Sequence, residues 1–410
     1  MKREYKRDFS TEAAKSKHRI LVTVDGLDYE RVPMEIRDSN LQSLGMAMTE
    51  QNIILDEGRY AFRVLLPDGD VKVITADVSQ DQPLQYSVKW QSSTSINAQL
   101  NTKSSIKSFM KGEPSTTWYA RIISYDNGQW IPRWNAADLE VIKHNYQDEI
   151  SATEILAHCQ HRGLLYLEVR NQNGHTTCSA LPIAAQSDAR TVNVLIIDSG
   201  ESMDITASLR GSSGVQLISE YMQSGSLQEA LDIISQAEDL LWGKMSNPVA
   251  AALGGYALLR QGDVERLHNW PMNLASWFDW LPDGAVIAGE LSARRGDHPG
   301  AANFFLLAIH RGLPIFTEGF STLLSRVRYY SLYAKDLLSE GYSSQHISSA
   351  LKELQKWAFA VDQTTLALTL NDISLTGEDV GSEYRPHPER GWHMFNPNEQ
   401  GCDFWITDFL

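Results

Sequence analysis

Residues 256–263 read YALLRQGD and residues 290–297 read ELSARRGD. Arg260-Gln261-Gly262-Asp263 aligns with Arg294-Arg295-Gly296-Asp297, and the two glycines stand 34 residues apart. Each Gly-Asp pair is read as the turn of a helical hairpin. Glycine closes one helix in a left-handed conformation that other residues adopt only at a cost, and aspartate accepts from the open amides of the next helix. Gly254 and Gly255 in one unit, and Ala288 and Gly289 in the next, are small where paired helices must approach closely. Arg295-Gly296-Asp297 could also be read as an adhesion tripeptide, but three residues recur by chance and the 34-residue repeat does not require one.

Working outward, the helical period begins after GSSG at 211–214. Leu227, Leu231, Ile234, Ala237 and Leu241 form one helical stripe. Asn247-Pro248 reads as a cap followed by proline at the first helical position. Further helices are expected at 283–295, 299–311, 318–338 and 344–361, with short connections that favour antiparallel neighbours. Between them, 264–282 contains Pro271 and three tryptophans, Trp270, Trp277 and Trp280. This segment is read as a loop and short helix plugging the array.

Before residue 214 the pattern is strand-like. Tyr60, Phe62 and Val64 alternate with Arg59, Ala61 and Arg63, the period of a strand buried on one face. The fold class expected is β + α, with N-terminal β-sandwich domains followed by an antiparallel helical repeat-like domain. The boundaries are a basic tail at 1–17, a β-sandwich at 18–90, a linker or long loop at 91–114, a second β-rich domain at 115–210, a helical domain at 215–361 and an acidic aromatic tail at 362–410. One helix, around 151–161, is expected to interrupt the second β region. Residues 91–108 hold eight Ser/Thr and no acid, which makes this stretch the expected internal site for proteolysis.

Composition narrows the class of function. The chain has 410 residues and a net charge of −15, with no basic stripe, so nucleic acid is not an expected partner. Three cysteines are too few for a disulfide framework and fit a reducing compartment. The charged N-terminus lacks a following apolar run, and no stretch approaches the ~18 apolar residues of a membrane span. A cytoplasmic protein is expected, with no cofactor.

The block NPVAAALGGYALLR…LPDGAVIAGELSARRGD…LLAIHRGLPIFTEGF resembles tetratricopeptide-like helical modules over about 247–312. It is also similar to helical modules in bacterial proteins that accompany caspase-like (CHAT-type) peptidases. That resemblance implies an interaction protein in bacterial defence or stress, acting as partner, regulator or substrate of such a peptidase. It carries no catalytic residues onto this chain. The tail adds a second indication of partners. Residues 362–410 hold nine acids against two bases, and Trp392, Phe395, Trp405 and Phe409 are candidate partner-binding anchors.

The competing reading is a metal- or thiol-dependent hydrolase around His158, Cys159 and His161, although zinc-ligand spacing and a nucleophile elbow are lacking. Asp198 with Ser199 and Ser202 has the wrong hydroxyl spacing for a von Willebrand A-type cation site, and a strand ending in a turn accounts for it. A glycan-binding sandwich rests on Trp118, Trp130 and Trp134. The reading that unites most features is a non-enzymatic protein-interaction protein.

Overall fold

The computed structural model describes residues 17–26, 31–39, 42–66, 71–78, 84–90, 118–133, 137–147, 150–159, 163–183, 191–199, 202–209, 213–224, 234–337, 344–377 and 390–395. The chain divides into two compact units, Met1–Trp90 and Gln91–Leu410. Together they have the β + α architecture expected, with sheets in the N-terminal half and helices following. The 91–114 linker and most of the basic tail lie outside the described residues.

The first unit is a two-sheet sandwich. In one sheet β1 (Lys17–Asp25) lies between β4 (Asn52–Asp56) and β7 (Leu84–Lys89). The other has the order β3 (Ser43–Met48), β2 (Pro33–Arg37), β5 (Gly58–Leu65), β6 (Val71–Val78). Alternation along each strand sends Ile20, Val22 and Val24 from the first sheet, and Met34, Phe62 and Val64 from the second, into the interior. The rings of Phe62 and Tyr86 meet across the sheets at 6.4 Å.

Among the described residues, the second unit has two sheets and eight helices. One sheet runs β10 (Ala137–Gln147), β11 (Ile150–Cys159), β14 (Thr191–Asp198), β15 (Met203–Leu209). The other runs β16 (Val361–Asp362), β17 (Thr369–Asn371), β13 (Thr176–Ala180), β12 (Leu165–Asn171), β8 (Trp118–Asp126), β18 (His393–Phe395), with β9 (Gln129–Arg133) also against β8. Ile122, Leu167 and Val169 pack with Ile155, Val194 and Ile205 in one shared core.

Two expectations fail here. The helix expected around 151–161 is β11, a central strand paired on both sides. Thr153, Ile155 and Ala157 are buried while Glu154, Leu156 and His158 are half-buried, so a period of two was present. Good helix formers (Ala, Glu, Leu) in the same run obscured it, and pairing overrode their preference. The described parts of the segment from 362, residues 362–377 and 390–395, are also not a separate tail. Three short strands after residue 360 complete the second sheet, and Trp392 is only 2% exposed.

The reason lies on the outer face of that sheet. Arg121 of β8 and Glu168 of β12 stand opposite each other in register, and both side chains are fully buried. Arg121 Nε donates to Glu168 Oε2 at 2.5 Å. Its remaining donors reach the hydroxyls of Ser374 (3.2 Å) and Thr376 (2.7 Å) and the carbonyl of Arg390 (3.1 Å). The guanidinium also lies 4.2 Å over the Trp392 ring. The late chain is thus drawn in to satisfy a buried charge. Beside it the Cys178 thiol donates to the Ile373 carbonyl, and burial followed by Glu168 pushes its pKa well up.

The helices are α1 (Ser213–Ser224), α2 (Ile234–Trp242), α3 (Pro248–Gln261), α4 (Trp270–Trp277), α5 (Pro282–Arg294), α6 (His298–Arg311), α7 (Thr317–Leu337) and α8 (Ser344–Ala358). Asn247 caps α3 by accepting from Ala250 N, with Pro248 at the first helical position. Gly262 and Gly296 have φ of 77° and 83°, the left-handed turns expected from the repeat. Asp297 caps α6 through Gly300 N at 3.0 Å. Asp263 caps nothing in this way. It faces Arg266 at 3.8 Å, because a turn rather than a helix follows it.

Close approach explains the small residues. A Cβ on Gly254 would sit 2.5 Å from the Ala237 carbonyl oxygen, and one on Gly289 would sit 2.7 Å from the Phe305 ring. The repeated arginine also has a repeated task. Arg260 donates to the Met222 carbonyl at 3.0 Å, and Arg294 donates to the Leu259 carbonyl at 2.7 Å, each reaching back to an earlier helix. Glu290 accepts from Arg294 at 2.7 Å and from two nitrogens of Arg326 at 2.6 and 2.7 Å. Burial pushes this carboxyl up, but the arginine hydrogen bonds outweigh it and hold the pKa below the usual range.

Asp283, in the first turn of α5, joins the helices to the sheet. Its carboxylate accepts from Ile315 N (2.8 Å), Phe316 N (3.3 Å) and the Tyr256 hydroxyl (2.9 Å). The adjoining Pro314 carbonyl accepts from Tyr166 of β12 at 2.8 Å. Full burial raises the Asp283 pKa to about 6 despite these donors.

Two outcomes are expected. Arg121→Met alone leaves the Glu168 charge buried and unmatched, and should cost about 3–5 kcal/mol in urea unfolding. The Arg121→Met, Glu168→Leu double variant should recover much of that loss. For Asp283, the folded state holds its proton more tightly than the unfolded chain, so stability falls as pH rises from about 4 to about 6 and is level above that. Relative to Asp283→Asn, the wild type should lose on the order of 3 kcal/mol across that window in chemical denaturation.

Candidate partner-docking site

The α2–α3 junction and α4 bring four aromatic and cationic side chains together. Helix α2 ends at Trp242, and a single 3-10 turn, Gly243–Met245, follows. That turn is closed on the Gly243 carbonyl, which accepts from the amides of Ser246 and Asn247, both at 2.9 Å. The tight turn directs Lys244 inward while Trp242 and Met245 remain 66% and 64% exposed. From α4, Trp270 and Trp277 stand seven residues apart, two turns along one helical face.

The geometry is that of an aromatic clamp on a lysine. Lys244 Nζ lies 3.5 Å from the centre of the Trp270 ring and 5.1 Å from that of Trp277. Trp242 meets Trp270 edge-on at 4.4 Å. Lys244 is only 6% exposed, and burial lowers its pKa. Trp277, by contrast, is 54% exposed. The tryptophans of 264–282 therefore do not simply plug the array, because their outer edge is presented at the surface.

The opening repeat positions this site. Arg295 donates to the His268 carbonyl at 3.3 Å, two residues before Trp270. His268 itself has φ of 43°, an uncommon left-handed conformation for a side-chain-bearing residue, where the chain turns into α4. Arg294 and Arg295 thus tie neighbouring segments together, although Arg295, Gly296 and Asp297 are themselves exposed. A second concavity, a cleft of about 580 Å³, runs between the β8–β9 hairpin and α6. Its Arg133 is bound to Asp126 at 3.0 Å, and Arg311 points to the carbonyls of Phe278 and Leu281. Both cations there are engaged within the protein.

The residues singled out from the sequence lie elsewhere. Trp392 is inside the fold under Arg121, and Phe395 is in β18, paired with Trp118. Trp405 and Phe409 lie outside the described residues, as do His161 and Trp134. His158 and Cys159 are consecutive at the end of β11, with His158 half-buried. Among the described residues, no group of three or more His, Cys, Asp or Glu is arranged to hold a metal. Trp118 is 1% exposed, and Trp130 stacks between Tyr125 and Tyr166, so neither offers an open sugar platform. Asp198 accepts from Asn171, and Ser199 closes the following turn on Ser202.

Comparison with known proteins bears on this helical region. The Y4kD C-terminal domain family matches residues 217–370, which include the whole aromatic site. A protein named as a probable protease from a Desulfuromonadales bacterium is 32% identical over 134 residues, 32% of this chain. The matched stretch is 16% of that relative's own length. No solved structure matches. No helix among the described residues is long and apolar enough to cross a membrane.

The inner and outer tryptophans should separate in their effects. Trp277→Ala should change stability by no more than about 0.5 kcal/mol in thermal unfolding. Trp270→Ala, which uncovers Lys244 and its packing, should cost about 1–3 kcal/mol.

Proposed function

We propose that this chain is a non-enzymatic interaction protein whose helical region docks another protein in a bacterial protease system. The observation that carries the reading is the exposed rim of Trp242, Met245 and Trp277 around Lys244. Large aromatic side chains held at a surface by a rigid support supply most of the energy of protein interfaces. The site falls wholly within the Y4kD-type segment.

The probable-protease relative supports the protease connection. A likeness over 16% of its length fits a shared module better than a shared active centre. In its finer form, the partner is a caspase-like peptidase in a defence or stress response, and the chain is its regulator or substrate. Residues 91–117 remain the first place to seek a cut in the substrate case.

The test is purification of the tagged full chain from its native cell, with mass spectrometry of the co-eluting proteins and of the chain's own termini. A stoichiometric partner should be recovered with the wild type and reduced at least tenfold with Trp242→Ala, Trp277→Ala. A chain that elutes alone, or a partner retained equally by the double variant, would refute the docking role.

A further inference from the structure

Lys244 differs from three other cations of its unit in what faces it. Arg121 meets Glu168, and Arg326 and Arg294 both meet Glu290. Lys244 as a residue is only 6% exposed, but its ammonium is not among the fully enclosed atoms, and among the described residues it has neither an ion pair nor a hydrogen-bond acceptor. Among those residues the rings of Trp270 and Trp277 lie over it. A cation over an indole is attracted by the ring's quadrupole, but the ring accepts none of the three N–H hydrogens along a lone pair. An ammonium set among indole rings, with no acceptor among the described residues, is placed to take a charge-assisted hydrogen bond from an anion that reaches it from outside.

The rim says what else that group must carry. Trp242, Met245 and Trp277 are large, apolar and exposed; Trp277 lies near the ammonium, and Trp242 lies against the Trp270 ring that covers it. The chain as a whole carries −15, which disfavours a polyacidic partner at long range. One carboxylate within an apolar segment meets both conditions: short-range charge complementarity at Lys244 and apolar burial around it. Resting on the docking role proposed above, we infer that Lys244 receives a single Asp or Glu side chain of the partner protein, flanked by apolar residues that cover Trp242 and Trp277.

Zero-length carbodiimide coupling joins a lysine amine only to a carboxylate in direct contact. The tagged full chain, with Lys244→Met and Trp277→Ala variants, is coupled in native-cell extract, purified and sequenced by mass spectrometry. The expected link joins Lys244 to an Asp or Glu of the partner with apolar neighbours. Lys244→Met should reduce recovery of that partner at least tenfold and make the remainder insensitive to salt. Lys244→Met keeps most of the apolar stem against the rings and should melt close to the wild-type temperature, which excludes misfolding as the cause. A partner lost with Trp277→Ala but retained with Lys244→Met overturns the carboxylate and leaves the docking role standing. Retention by both variants overturns both. A link from Lys244 to residues 396–410 of the same chain, to a second copy, or to nothing, overturns the partner carboxylate.

Discussion

The second unit is organised around one buried charge pair. Placing Arg121 opposite Glu168 on the outer face of a sheet removes two ions from water, a loss that their mutual attraction repays only when every remaining donor is met. The strands themselves meet one donor. The others are met by Ser374, Thr376 and the Arg390 carbonyl, and the flat face of the guanidinium is covered by Trp392. These partners lie more than 250 residues along the chain from Arg121. The pair therefore determines where the end of the described chain must go. β18 closing on the β8 edge follows from that constraint.

The two sheets of this unit hold the two ends of the helical region, β15 of one sheet at its start and β16 and β17 of the other at its end. Helix α1 follows β15, and the chain returns through β16 and β17 to pair with β13. Between these anchorages Asp283, Tyr256 and Tyr166 converge on residues 314–316, so the middle of the helical region is fastened to the sheet as well. Helix contacts at Gly254 and Gly289 are close enough to exclude even a methyl group. The aromatic site is consequently carried on a stiff support. Its exposed rings do not have to be ordered when they are covered, which limits the entropy lost on association.

The sequence made the large divisions readable, because a change from period 2 to period 3.6 needs no tertiary information. The Asn247 cap and the glycine turns at 262 and 296 were equally local, and the structure has them. What escaped was non-local. Thr153, Ile155 and Ala157 carried a strand alternation, but Ala, Glu and Leu between them favour helix until neighbours on both sides decide. The stretch after 362 looked like a partner-docking tail because Arg121, which donates to Ser374, Thr376 and the Arg390 carbonyl and lies over Trp392, is far away in the chain. Lys244 gave no sign of its burial. The one available hint was crowding, with four of the eleven tryptophans between 242 and 280. That density marked a site without saying which edge faced outward.

The reach of Arg121 also bears on how the protein is made. A nascent chain exposes β8 and β12 early, but the groups that complete their outer face emerge only after the helices have been synthesised. The hydrogen bond from Arg121 to Arg390 spans 269 positions. Contacts so distant in sequence form late and slowly, because the loop must close before it is rewarded. The helical region, whose partners are mostly local, can assemble meanwhile. During translation the sheet carries an uncovered ion pair and an unpaired edge, features that invite chaperones or misassociation. A ribosome that stalls between residues 213 and 370 would release a chain in that state.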